Sequence, residues 1–226
     1  MTTRGRSGSG RSGDAGAGRR YPTAAQCRAR EDLGRFSRMW SELTEDQRTA
    51  WRRRVDQVGR LRRLGRYYRL NAQQLFNKLN TVLSLCDQEP LADPPPLPKF
   101  GPNPVGTLTI TRVGHDLTLK LTLSGPLAED IMVFASPPFR AGRGYCSDYR
   151  FIGLLPASAE HAGEITRLYI RKYGVPPPNT RIFIRAWQQV DGWERRGQMW
   201  LTNALVPYWP ALAEAPRSRR PGGNKG

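Results

Sequence analysis

Between residues 87 and 104 the chain reads DQEPLADPPPLPKFGPNP, with seven prolines in eighteen positions. No regular hydrogen-bonded element can run through such a stretch, because each proline lacks a backbone N–H and has a fixed φ. The segment is expected to be a stiff, extended linker. The patterns on its two sides differ. Before it, apolar residues recur with the period of a helix; after it, they alternate as in strands. The 226 residues are enough for a small unit and a medium one with separate cores. The predicted class is therefore α+β and multidomain: an N-terminal three-helix head over 21–86, the linker over 87–104, and a C-terminal antiparallel β-sandwich of fibronectin or immunoglobulin type over 105–208.

Within the head, Leu33, Phe36 and Trp40 fall at i, i+3 and i+7 and define a first helix. Thr44 followed by Gln47 is a capping-box pair, so a second helix begins at Glu45, with Trp51, Val55 and Val58 as its buried stripe. Trp40 ends one stripe and Trp51 starts the next, so the two indoles are expected to meet across the bend. Burying both removes about 300–500 Å² from water, on the order of 10 kcal/mol before conformational entropy is counted. Trp40, Thr44, Gln47 and Trp51 thus form a structural corner. Gly59 and Gly65 break the pattern that follows. Asn71 can cap a third helix carrying Leu75, Phe76, Leu79, Val82, Leu83 and Cys86 at helical spacing.

After the linker come seven short runs: GTLTITRV, DLTLKLTL, DIMVFAS, YRFIGLL, EITRLYIRKY, TRIFIRAWQQV and QMWLTNALV. Each is read as a strand, and the missing cysteine pair suits the fibronectin version of the sandwich. If EITRLYIRKY and TRIFIRAWQQV pair, period-two alternation places Arg167, Tyr169, Arg171 and Tyr173 on one face with Arg181, Phe183, Arg185 and Trp187. Interleaved arginines and aromatics neutralise phosphates and stack bases. The same pattern fits a cation–π ladder covered by the head or by a neighbouring chain.

Lys and Arg total 36 against 19 Asp and Glu, a net charge of +17, which favours polyanionic partners. Through Cys86 the counts are 19 and 7, so most of the excess lies in the first 86 residues. It is densest at Arg52, Arg53 and Arg54 and along Arg60, Arg62, Arg63, Arg66 and Arg69. These eight, with Arg171 and Arg185, are the candidate nucleic-acid-binding residues. Residues 1–20 and 209–226 are rich in Gly and Arg and poor in large apolar side chains, and read as disordered basic tails. The first serves either as a phosphate-binding arm or as a solubilising leader.

Cys27, Cys86 and Cys146 are too dispersed for a disulfide framework or a zinc site, and with no apolar run long enough to span a membrane the expectation is a cytoplasmic protein without membrane association. His115 and His161 sit at turns without an evident second ligand or nucleophile. Glu129 and Asp130 read as solvated turn residues, and no phosphate-binding loop, zinc-protease or nucleophile-elbow motif occurs. No catalytic residue, metal site, cofactor or small-molecule substrate is assigned, and the chain is not read as an enzyme.

MWSELTEDQRTAW resembles the junction of the second and third helices of HMG-box DNA-binding domains. RLNAQQLF resembles their first-helix entry, although here it follows the junction instead of preceding it. Over nearly the whole chain the pattern resembles a family of uncharacterised bacterial and prophage-encoded proteins. The shared marks are the W-x-x-L-T-x-x-Q-R-x-A-W corner (Trp40, Leu43, Thr44, Gln47, Arg48, Ala50, Trp51), the helix with Gln74, Leu75, Phe76, Leu79 and Asn80, the proline-rich linker and a β-rich end. That resemblance implies a mobile-element or virion setting. The expected function is low-specificity nucleic-acid binding, of DNA in the first place, through tail and head. The alternative is a structural or assembly protein that contacts a protein partner or itself through the sandwich.

Overall fold

The computed structural model describes residues 23–58, 61–63, 66–113, 116–157, 163–196 and 199–208; both terminal segments read as tails, and both histidines, lie outside them. The described residues form a mixed α+β structure in which all strand pairing is antiparallel.

Three helices build the head: α1 (Ala24–Glu42), α2 (Glu45–Val58) and α3 (Ala72–Leu85). Each begins with a capping box. Thr23 and Gln26, Thr44 and Gln47, and Asn71 and Gln74 exchange side-chain and backbone bonds, so the first free N–H groups of each helix are satisfied locally. Phe36, Leu43, Trp51, Val55, Leu75, Phe76 and Leu79 fill the core between them. Leu33 departs from its expected place on the stripe and is 55% exposed. The indoles are joined through a third ring: Trp40 and Trp51 each pack against Phe76, at 5.4 and 5.3 Å between centroids. Phe76 comes from α3, so the corner is clamped by the helix that crosses it. Between α2 and α3 the stretch read as a break holds a small hairpin, β1 (Leu61–Arg63) with β2 (Arg66–Tyr68).

Beyond the linker, β3 (Val105–Val113) and β4 (Asp116–Leu123) form a hairpin. The main sheet has the order β10 (Trp200–Leu205), β8 (Thr180–Val190), β5 (Asp130–Ala135), β7 (Arg150–Leu155), and the short β6 (Phe139–Arg140) and β9 (Trp193–Glu194) also pair with β8. Inward residues of the sheet (Ile131, Val133, Ile182, Ile184) meet those of the hairpin (Leu108, Ile110, Leu119, Leu121) in one core. The hairpin continues past β10, where the Leu108 N–H donates to Thr202 Oγ1.

The fifth expected strand is a helix, α4 (Thr166–Tyr173). Ile165, Tyr169 and Tyr173 recur every four residues, and all three pack into the shared core. Thr166 Oγ1 accepts the Leu119 N–H, and the Ile165 N–H donates to Leu119 O, so α4 is anchored to β4 and spans the space between β4 and β7. Gly174 ends it at φ +76°.

The proline-rich segment contains no helix or strand and is held on both sides. Trp51 Nε1 donates to Ala92 O, and Asn80, fully buried, exchanges two bonds with the Leu91 backbone. From the sheet, Gln188 donates to Gly101 O and Pro102 O, and Arg195 donates to Phe100 O and Gly101 O. The acidic pair expected as solvated turn residues takes part. Glu129 accepts from the Gly101 N–H and from Gln188, while Asp130 accepts from Gln88 and from the Ala157 N–H.

Head and sheet also touch directly. Val82 of α3 and Cys86, which caps it, pack with Met132, Phe134 and Trp187 on the sheet's outer face, and Trp193 is buried in the head's core. Burial there, with Asp130 and Glu194 nearby, pushes the Cys86 thiol up to about 12, so it stays protonated.

Candidate nucleic-acid interface

With Trp51 and Val55 of α2 turned into the core, Arg53 is exposed on the opposite side and Arg52 on the flank of that stripe. The arginines of this run have different surroundings. Arg52 pairs with Glu45, and its guanidinium holds that carboxyl below the usual carboxylate range. Arg54 is half-buried and donates to Gln57 Oε1 at 2.6 Å. Arg53 lines a shallow hollow of about 360 Å³ with Arg54, Gln57, Asp93 and Pro94. Arg69 forms an ion pair with Asp56 of α2, fastening the end of the hairpin region back to the helix.

Arg62, Arg63 and Arg66 lie on the β1–β2 hairpin, where Arg62 is paired in register with Tyr67 and Arg63 with Arg66. Arg60 falls outside the described residues. Of the eight candidate arginines in the head, the seven among the described residues lie on α2 or the β1–β2 hairpin or, for Arg69, are tied to α2. A helix or a two-stranded ribbon is the element width that a duplex major groove admits.

Arg171 and Arg185 do not share a surface, because the strand that was to carry Arg171 is α4. Arg171 donates to Ile152 O and lines an open groove of about 620 Å³ between α1, α3, β7 and α4, together with Arg28, Asp32, Asp87 and Lys172. Tyr169, expected beside it on an exposed face, is fully buried and donates to Ser136 O. On β8, Arg181 and Arg185 are half-buried, but Phe183 and Trp187, expected on the same open face, are buried, Trp187 under Val82 of the head. The ring partner of Arg185 is Tyr149, with the guanidinium carbon 4.1 Å from the ring centroid.

Two features escaped the reading of the sequence. Arg48 folds back onto the last carbonyls of α1, donating to Ser41 O at 2.7 Å and to Trp40 O at 3.4 Å, so a cation sits at the negative end of that helix and locks the corner. The signal was present in the W-x-x-L-T-x-x-Q-R spacing, one turn into α2. The second is the loop after β6, where Arg143 lies 3.8 Å over the Phe139 ring and 5.8 Å from that of Tyr145. No hydropathy period marks this glycine-rich stretch.

Among the described residues no helix is long and apolar enough to cross a membrane. Compared with protein families, with curated proteins and with solved structures, the chain matches none.

Proposed function

We propose that this is a non-enzymatic, cytoplasmic nucleic-acid-binding protein of low sequence specificity, holding the phosphate backbone of DNA through α2, the β1–β2 hairpin and the basic N-terminal segment. The observation that carries this reading is the exposure of Arg52 and Arg53 on α2, directly before a hairpin bearing Arg62, Arg63 and Arg66. Guanidinium groups in such an array neutralise phosphates without reading bases.

The test is fluorescence anisotropy of a labelled 30-base-pair duplex titrated with the full chain at two salt concentrations. If about six phosphates are neutralised, affinity falls roughly 10³-fold between 50 and 200 mM salt. Replacing Arg52 and Arg53 together with Ala is expected to lower both affinity and salt slope; a flat salt response removes the reading.

A second reading rests on β10 and the residues around it. Met199, Trp200, Leu201, Leu205 and Tyr208 are all exposed, a concentration of apolar surface that suits assembly with a protein partner or with another copy through a fibronectin-like sandwich. It agrees with the resemblance to prophage-encoded proteins. A salt-insensitive oligomer in light scattering favours it.

A further inference from the structure

The loop that follows β6 gathers planar groups into a stack whose last member is open. Arg143 lies over the Phe139 ring and donates from Nε to Tyr145 O at 2.8 Å, while its own N–H closes a turn onto Arg140 O. Phe139 in turn packs against Phe183 of β8, so the base of the stack is fixed to the sheet. Beside it Arg185 covers the Tyr149 ring, and Arg181 donates to Ala141 O and to Asn203, pinning the start of the loop. At the top Tyr145 is 73% exposed, and Arg140, Arg143 and Arg150, on the same stretch of chain, are exposed as well. The loop and its support thus bring together five arginines, Arg140, Arg143, Arg150, Arg181 and Arg185, against one carboxylate, Asp148, which pairs with Arg150.

Such a surface selects its occupant. Five like charges disfavour a second copy of the same loop and favour a polyanion. An exposed ring above a guanidinium adds a requirement for a flat, apolar face, and duplex DNA keeps its base faces covered by stacking. A single strand offers both, phosphates for the arginines and unstacked bases for the tyrosine.

From this we infer that the Phe139–Tyr149 loop is a second nucleic-acid contact, specific for single strands, in which an unpaired base stacks on Tyr145 and the adjacent phosphates lie against Arg140 and Arg143. The inference rests on the polyanion reading above but uses a different surface from α2 and its hairpin.

The experiment compares a labelled 15-nucleotide oligo(dT) with a 15-base-pair duplex, using the full chain, Tyr145→Ala, Tyr145→Phe, and Arg52→Ala/Arg53→Ala, with folding checked by circular dichroism. Tyr145→Ala is expected to weaken oligo(dT) binding about tenfold, the scale of one lost base stack, and to leave duplex binding unchanged. Tyr145→Phe should retain wild-type affinity, because stacking does not use the hydroxyl. The head variant should weaken the duplex.

Unchanged oligo(dT) binding by Tyr145→Ala, or equal losses on both probes, overturns the loop site while leaving the head reading intact. Loss of oligo(dT) binding in Tyr145→Ala, with no duplex binding by any form, keeps the loop and removes the head. Competition by polyglutamate as strong as by unlabelled oligo(dT) assigns the loop to acidic polypeptides and overturns the proposal. No binding to either probe removes both.

Discussion

Phe76 holds more of the head together than either tryptophan beside it. Fully buried, it takes the Trp51 ring edge-on at 84° and the Trp40 ring at 59°, so its removal would leave two indoles without a common partner. Truncating a buried aromatic of this kind costs about 3–5 kcal/mol, the transfer term plus the cavity left behind. Phe76→Ala is accordingly expected to lower the urea midpoint sharply, and a Phe76→Leu variant, which fills much of the volume, to lose less. Equilibrium unfolding followed by tryptophan fluorescence checks both. Trp51 has a second role at the same spot, since its Nε1 donates to Ala92 O and fixes where the proline-rich segment leaves the head.

Gly192, in the turn between β8 and β9, meets a comparable constraint in its backbone. It takes φ +82°, and a Cβ there would come within 2.6 Å of the Leu79 carbonyl oxygen on α3. Gly192→Ala should therefore destabilise by more than the roughly 1 kcal/mol of a strained turn alone, because a helix backbone cannot step aside; thermal denaturation of the variant measures it. The elements themselves were legible where the deciding interactions are local. Thr44 with Gln47 announced α2 and Asn71 announced α3, and the alternation of DLTLKLTL marked β4 at its observed ends. TRLYIRKY supports two periods at once: Leu168 and Ile170 alternate with polar neighbours, while Ile165, Tyr169 and Tyr173 recur every four. What settles it is Leu119, 47 residues before Thr166, whose backbone bonds to Thr166 and Ile165 anchor the helix. Gly174, directly after the run, was the one local sign of a helix end. The arginine surfaces were legible as composition in α2 and illegible in the loop after β6, where a turn and not a period brings Phe139, Arg143 and Tyr145 together.

At the scale of the whole molecule the head and the sheet do not behave as beads on a string. Val82 and Cys86 pack with Trp187, Gln88 accepts from Gln189 at 2.8 Å, and the intervening segment is bonded to both sides. Unfolding is expected to be one cooperative transition, with far-UV circular dichroism, which weights the helices, superimposing on fluorescence from Trp187 and Trp193; two separated midpoints would show that the contact is weak. Trp193 carries a further consequence, one of timing. The core of the head contains this residue, 108 positions beyond Leu85, the last residue of α3. At roughly 5–20 residues per second, a nascent chain waits on the order of 5–20 s after the helices are made before the side chain that completes their core exists. During that interval α1, α2 and α3 have all been made while the apolar core between them still lacks one of its members.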